Sequence, residues 1–157
     1  MLIKLIGGAI LVLSGGGAAI FLCRYQRRRL ETLDGLIALL FYVKGQVDCY
    51  ARPLGEILSS VPREILLACG LQASPDTLEQ IAEECRIYLD RESLRVLSAF
   101  ASEFGTSFRE EQVKRCTHYI SLLGEEREKC AGRVTAACRT GSAVCLCLSL
   151  CLLILLW

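Results

Sequence analysis

The sequence has few of the residues, and none of the motifs, that common enzyme classes use for catalysis. Its 157 residues include one histidine, His118, which excludes a zinc site built on two histidines at helical spacing. A glycine-rich phosphate loop and the Gly-x-Ser-x-Gly turn of hydrolases are also absent. We therefore expect a protein that is not an enzyme, with no catalytic residue, no cofactor, no metal and no small-molecule substrate.

Charge is missing from both ends of the chain. Leu5–Cys23 and Gly141–Trp157 contain no Asp, Glu, Lys or Arg. At ~1.5 Å per helical residue, the first stretch reaches ~28 Å, about the thickness of a hydrocarbon core, and the second is slightly shorter. We predict an N-terminal transmembrane helix within residues 1–23 and a C-terminal transmembrane helix within residues 140–157.

Basic residues flank each apolar stretch on the side that faces the middle of the chain. They are Arg24, Arg27, Arg28 and Arg29 after the first stretch, and Arg127, Lys129, Arg133 and Arg139 before the second. The positive-inside bias places residues 24–139 in the cytoplasm, as the central domain of a multi-pass protein of the cell membrane. Two alternatives stay open: a signal peptide cleaved near Gly15–Ala19, and a second stretch that re-enters or lies on the membrane.

The middle of the chain is acidic. All 17 acidic residues lie between Glu31 and Glu128, where there are 10 basic residues, so this window has a net charge of −7. A negative surface repels phosphate backbones, and we expect no nucleic acid as a partner. The charge suits a basic protein surface.

The ten cysteines are scattered and form no recognisable site. Cys145 and Cys147 lie two residues apart, and their side chains diverge by ~200° on a helix, so they cannot hold one ion together. In a cytoplasmic domain we expect the thiols to stay reduced and to act as small apolar side chains. The alternative hypothesis is a cysteine-dependent membrane redox or metal-handling protein, which predicts loss of function when these cysteines are replaced.

Apolar residues recur at helical spacing through the middle of the chain, without the alternation typical of strands. The first apolar stripe consists of Leu33, Leu36, Leu40, Val43 and Val47, widened by Leu30, Ile37 and Phe41. This stripe predicts a long helix with one packed face, continuous with the first apolar stretch through the arginines.

Prolines and glycines mark shorter helices after this one. Pro53 and Pro62 each predict the start of a short helix, because proline suits the first turn, and Gly70 is expected to end the second. Ser74-Pro75-Asp76 predicts the start of a third, with Ser74 as the capping residue.

Two more helices complete the predicted fold. One runs from about Ser93 to Gly105, and Ser107 with Glu110 forms a capping box for a last helix that continues into the second apolar stretch. The fold class is therefore all-α, with a bundle of five or six helices at residues 24–139 between two transmembrane helices.

Small residues in the first apolar stretch indicate helix packing inside the membrane. Gly8, Gly15 and Ala19 lie on one helical face, where another transmembrane helix can approach closely. That helix is either the second apolar stretch of this chain or part of another protein. The alternative is that these small residues make no specific contact, since glycine is frequent in transmembrane helices.

Three local motifs follow one another along the chain: a Pro-Leu-x-Glu-x-Leu segment at Pro53, Leu54, Glu56 and Leu58, a Phe104-Gly105 turn followed by Gln112, and Gly141 at the start of the terminal aliphatic run. By the order and spacing of these motifs over nearly all 157 residues, the chain resembles the stage III sporulation protein AB family of endospore-forming bacteria. Gly141 joins the residues that we expect to pack in the membrane.

The resemblance implies a non-enzymatic part of the channel apparatus between mother cell and forespore. The family's helical domain is similar to the cytoplasmic domains of type II secretion and type IV pilus inner-membrane platform proteins. The implied partners are a secretion-type ATPase, stage III sporulation protein AA, other membrane proteins of the same operon, and the mother-cell membrane. We expect Pro53, Leu54, Glu56 and Gln112 to contact a partner; a scaffold that dimerises without a motor is a further hypothesis.

Overall fold

The structure, a computed structural model, describes the backbone of residues 2–50, 52–105 and 108–156. Side chains are described for residues 23–50, 52–105 and 108–136 and for scattered positions in the apolar stretches. The described elements are the helices α1 (Leu2–Tyr50), α2 (Leu54–Ser59), α3 (Arg63–Cys69), α4 (Leu78–Cys85), α5 (Arg91–Glu103) and α6 (Arg109–Leu156). The all-α class and the continuous first helix are confirmed.

The apolar stripe of α1 forms the core of the central helices. All five residues of the predicted stripe are buried, and Leu36, Leu40 and Val43 have no exposed surface. The predicted widening is wrong at Phe41, which is 55% exposed, whereas Leu39 is fully buried. A turn of ~100° per residue puts Leu39 and Phe41 on opposite sides of Leu40, and the other helices cover the Leu39 side.

The two short helices after α1 begin as predicted, and the second ends as predicted. Pro53 and Pro62 directly precede α2 and α3, and Gly70 ends α3 with a left-handed φ of +88°. Helix α3 lies very close to α1 at Gly35: a Cβ there would come within 2.6 Å of the backbone of Ala68 and Cys69. The absence of a side chain at Gly35 is therefore what allows the two backbones to approach.

The predicted cap of the third short helix is wrong by three residues. Helix α4 is capped by Thr77, whose hydroxyl accepts a hydrogen bond from the Gln80 backbone N–H at 3.2 Å. The Gln80 side chain in turn accepts from the Asp76 N–H at 3.1 Å. Thr77 and Gln80 thus accept hydrogen bonds from two backbone N–H groups at the helix start, which have no partner within the helix. Ser74 makes neither bond and lies outside the helix start.

Helix α5 is capped by a carboxylate that also contacts α1. Asp90 Oδ1 accepts hydrogen bonds from the Ser93 backbone N–H at 3.1 Å and from the Ser93 hydroxyl at 2.7 Å. Its other oxygen forms an ion pair with Arg29 of α1. The carboxylate therefore links the start of α5 to one position on α1.

Helices α5 and α6 pack through aromatic rings and one shared carboxylate. The Phe100 and Tyr119 rings meet edge to face with centroids 5.4 Å apart. The Tyr119 hydroxyl donates to Glu103 at 2.9 Å, and Arg115 lies 3.5 Å from the same carboxylate. Ser107, the predicted cap of α6, lies outside the described residues, and Gly124 does not interrupt that helix.

The chain divides into two compact units, one of residues 1–27 and 130–157 and one of residues 28–129. The second unit contains the central helices and the contacts given above. Among the residues that the structure describes, no helix is both long and apolar enough to cross a bilayer. The transmembrane helices predicted within residues 1–23 and 140–157 stay predictions.

Replacing Gly35 with alanine tests the close contact between α1 and α3. We expect the free energy of unfolding to fall by about 1–3 kcal/mol, since the backbones must separate to admit a methyl group. The matched control is Gly45→Ala in the same helix, where a Cβ meets nothing within 4 Å. That control is expected to stabilise by roughly 0.5–1 kcal/mol, as alanine does in an exposed helix interior. Urea unfolding of the full chain, followed by circular dichroism, measures the free energy of unfolding of both variants. Equal changes in the two variants would contradict the close contact between α1 and α3.

Asp90 makes the stability of the central unit depend on acid pH. Burial raises the pKa of Asp90, but the hydrogen bonds from Ser93 and the charge of Arg29 outweigh it, so the net shift is downward. A lowered folded-state pKa gives stability that is complete above the unfolded pKa of about 3.9 and is lost as the pH falls through the folded value.

The variant Asp90→Asn is expected to weaken this acid dependence, because asparagine keeps the capping acceptor and removes the charge. Asp90→Ala also loses the cap, at a further cost of about 1 kcal/mol at neutral pH. Unfolding free energies of the three proteins between about pH 5 and pH 2 provide the comparison. An acid slope of Asp90→Asn equal to that of the unchanged chain would refute the role of Asp90.

Candidate functional site

The end of α1 and the start of α6 meet through Asp48 and Arg109, which are 61 positions apart in the sequence. Arg109 donates a hydrogen bond to the Asp48 backbone carbonyl, and its Nη2 lies 3.4 Å from the Asp48 carboxylate. The carbonyls in the last turn of a helix lack intrahelical partners, so an arginine from α6 satisfies one of them here. The contact places the segment that leads to Pro53 beside the segment that leads to Gln112.

Two large aromatic side chains stand exposed at this meeting point. Phe108 is 91% exposed and Tyr50 is 65% exposed. The Arg52 guanidinium lies 5.4 Å from the centre of the Tyr50 ring, within the range of a cation–π contact. We call the surface formed by Asp48, Tyr50, Arg52, Phe108 and Arg109 the α1–α6 corner.

An open cavity of about 880 Å³ lies at the α1–α6 corner. Its lining consists of Asp48, Phe108, Arg109, Glu110, Val113 and Lys114. Pockets that hold small molecules bury most of the ligand among apolar groups, whereas this one is wide and carries four charged side chains. Aromatic and arginine side chains in an open, charged surface are the composition of protein-docking sites.

The predicted contact residues lie on the two segments that lead away from this corner. Pro53 and Glu56 are exposed and Leu54 is half-buried. The Pro53 carbonyl accepts from the Glu56 N–H at 3.1 Å, so both belong to the first turn of α2. Gln112 is half-buried in the first turn of α6, with its N–H 3.0 Å from the Phe108 carbonyl oxygen.

The position of α2 is held by the other side of the helix. Ile57 and Leu58 are fully buried, and the Tyr42 hydroxyl of α1 donates to the Ser60 carbonyl at 2.8 Å. Pro53 and Glu56 are therefore presented on the exposed side of an anchored turn.

Sequence reasoning missed the residues at the centre of the corner. Asp48, Tyr50, Phe108 and Arg109 come together only when α1 and α6 pack. The available signal was the position of two aromatic residues, Tyr50 and Phe108, at a predicted helix end and a predicted helix start, outside the apolar stripes.

The residues predicted to pack in the membrane are little described. The side chains around Gly8, Gly15 and Ala19 lie outside the described part of the chain. Gly141 is half-buried within α6. Their packing role stays a prediction.

Three buried cysteines keep their thiols protonated near neutral pH. Burial, aided by Cys85, raises the pKa of Cys69 to about 12. Burial, aided by Glu84, raises the pKa of Cys85 to about 12. Burial also raises the pKa of Cys116 to about 11, against the opposing charge of Lys44. The thiolate is the nucleophile and the metal ligand, so these pKa values oppose thiol chemistry at the three positions.

Four other described cysteines form no disulfide. Cys49, Cys147 and Cys151 are exposed, and Cys130 is buried. Cys23, at the end of the first apolar stretch, is disulfide-bonded. Among the described residues, no three His, Cys, Asp or Glu side chains are grouped to hold a metal ion. His118 is exposed, beside the Tyr119 ring at 5.5 Å.

Comparison with known proteins gives one family. The family model described as stage III sporulation protein AB matches residues 4–157, nearly the whole chain. No curated protein and no solved structure matches.

Thiol labelling tests whether the buried cysteines are inert. In the folded full chain, we expect maleimide to modify the exposed Cys49 rapidly and to leave Cys69, Cys85 and Cys116 unmodified, because they are both buried and protonated. Mass spectrometry of peptides before and after denaturation in urea measures each site, and all four are expected to react once unfolded. Rapid labelling of Cys69 or Cys85 in the folded chain would support the alternative hypothesis of a cysteine-dependent redox or metal-handling protein.

Proposed function

The chain belongs to the stage III sporulation protein AB family, and we propose that it is a membrane-anchored platform subunit of the channel between mother cell and forespore. In this proposal it docks a secretion-type ATPase, stage III sporulation protein AA, and carries out no catalysis itself. The observation that carries the proposal is the α1–α6 corner, with its exposed aromatic rings set among charged side chains.

The sequence supports anchoring of both chain ends in the membrane of the mother cell. Leu5–Cys23 and Gly141–Trp157 are uncharged, and basic residues stand only on their inner flanks apart from Lys4. This charge distribution favours a cytoplasmic location for the helices between them. An ATPase of the mother-cell cytoplasm meets the central unit on that side.

The α1–α6 corner lies at one end of the central unit. Within α1, Arg28 and Asp48 are 20 residues apart, which is ~30 Å along the helix axis. Arg28 follows the first apolar stretch by five residues. An anchored chain therefore holds the Arg28 end near the bilayer and presents the corner to the cytoplasm.

The chemistry of the corner fits a protein partner, and the net charge of the unit around it favours a basic one. Tyr50 and Phe108 provide apolar area with few rotatable bonds, and aromatic and arginine side chains carry much of the energy of protein interfaces. The window from Glu31 to Glu128 has a net charge of −7, which attracts a positive surface and speeds association. The same charge repels nucleic acid.

Truncating Phe108 tests the docking site. We expect Phe108→Ala to weaken binding of the purified ATPase to the full chain by about 30-fold, the effect of losing an interface hot spot of about 2 kcal/mol. Tyr50→Ala is expected to act in the same direction. Because Phe108 is 91% exposed, folding stays intact. Equilibrium binding to the full chain in lipid nanodiscs gives the dissociation constants.

The matched control is Leu67→Ala, which removes an exposed apolar side chain from α3, away from the corner. We expect it to leave the affinity unchanged. In cells, Phe108→Ala is expected to block spore development after engulfment, and Leu67→Ala to restore it in a deletion strain. Absence of ATPase binding by the unchanged chain would refute the platform role, and self-association instead would favour the dimeric scaffold.

A further inference from the structure

An exposed isoleucine stands in the tight turn between α4 and α5. Ile87 is 71% exposed, and its neighbours along the chain are an arginine and a tyrosine. The turn is held by hydrogen bonds from the Tyr88 and Leu89 N–H groups to the Cys85 carbonyl at 3.0 and 3.1 Å. A rigid turn therefore presents an apolar side chain to its surroundings.

Two contacts place this turn beside Arg28 and Arg29, the part of α1 in the central unit that is nearest the first apolar stretch. Asp90 at the end of the turn forms the ion pair with Arg29, and the Arg28 guanidinium lies 6.0 Å from the centre of the Tyr88 ring. Tyr88 also lies beside Gly70, where a Cβ would be 3.7 Å from its ring. The turn is thus at the level of residues 28 and 29.

The chain length limits how far this level is from the bilayer. Arg28 lies five positions after Cys23, the last residue of the first apolar stretch. Because α1 is helical here, these five positions span ~7.5 Å. The interfacial region of a bilayer extends ~5–8 Å beyond each side of its hydrocarbon core. The turn is therefore within reach of the headgroup layer.

We propose that the α4–α5 turn lies on the membrane surface, with the Ile87 side chain inserted at the boundary of headgroups and acyl chains. This inference rests on the membrane anchoring proposed above and adds a third membrane contact, made by the central unit itself. The ligand is the lipid surface. Apolar side chains flanked by arginine and tyrosine are the composition of segments that lie in this boundary.

The charges around Ile87 fit a headgroup layer. Arg91 is exposed at the start of α5, and Arg86 is 66% exposed beside Glu83, with 3.2 Å between the charged atoms. Pairing with Glu83 on the solvent-exposed surface is weak, so lipid phosphates can compete for Arg86. Residues 86–91 carry one net positive charge within a unit that is otherwise acidic.

One other exposed apolar side chain of the central unit lies farther along α1. Phe41 is 18 residues beyond Cys23, which is ~27 Å of helix, and it is 55% exposed. Phe41 is exposed, as Ile87 is, but it lies farther from the first apolar stretch. Phe41 is therefore a matched control for a measurement of depth.

The test places a tryptophan at each position in the full chain. Trp157 is the single native tryptophan, so Trp157→Phe provides a dark background for Ile87→Trp and Phe41→Trp. Each protein is reconstituted in vesicles of phosphatidylcholine and phosphatidylglycerol, with and without bromine near the top of the acyl chains. We expect bromine to reduce the fluorescence of Trp at 87 about twofold or more, because the side chain sits in the headgroup–acyl boundary. The Trp at 41 is expected to keep its intensity.

Flotation of the same vesicles separates the two proposals. Protein that floats with the vesicles, with an unquenched Trp at 87, would overturn the surface contact and leave the anchoring intact. Equal quenching at 87 and 41 would also overturn it, since the effect would then not depend on the turn. Protein that stays out of the vesicle fraction would overturn the anchoring and, with it, this inference.

Discussion

The buried face of α1 is the constraint on which the other central helices depend. Leu36, Leu39, Leu40 and Val43 have no exposed surface, so each must be covered by side chains from elsewhere in the chain. The helices α2, α3, α4 and α5 have 6, 7, 8 and 13 residues, lengths at which an isolated helix is marginal in water. The short helices therefore depend on packing within the central unit for their stability, and the apolar face of α1 is buried only in their presence.

Polar contacts set the register of this packing. Arg29, Tyr42 and Asp48 of α1 contact Asp90, the Ser60 carbonyl and Arg109, at successive levels along the helix. The Arg109–Asp48 pair is more than half exposed, so water competes for its charges and it contributes little free energy. Together, the three contacts select one alignment of the other helices along α1. That alignment creates both the α1–α6 corner and the position of the α4–α5 turn.

The sequence predicted the features that depend on neighbouring residues. The stripe from Leu33 to Val47 follows from helical spacing, and the ends of α2 and α3 follow from Pro53, Pro62 and Gly70, whose backbone preferences act locally. The start of α4 was misplaced because two capping signals stand close together and tertiary packing selects between them. The exposure of Phe41 depends on which flank of α1 the other helices cover. The spacing of apolar residues along the sequence does not indicate which flank that is.

The candidate site was predictable only in part for the same reason. Pro53 and Gln112 were predicted from local motifs, and their contact role stays a prediction, whereas Asp48 and Arg109 are 61 positions apart and meet through packing. A single sequence contains no signal that pairs them.

The two proposed contact surfaces of the central unit differ in the kind of partner that suits them. At the α1–α6 corner, aromatic rings stand among charges of both signs, which a folded protein surface can match group by group. At the α4–α5 turn, a single aliphatic side chain stands beside arginines, which suits a fluid layer of headgroups better than a shaped partner. The sites lie ~30 Å apart along α1, so one unit can contact a membrane at one end and a protein at the other without the two surfaces competing. A contact at Ile87 would also restrict rotation of the unit about its anchors, which orients the corner toward its partner and lowers the entropy lost on docking.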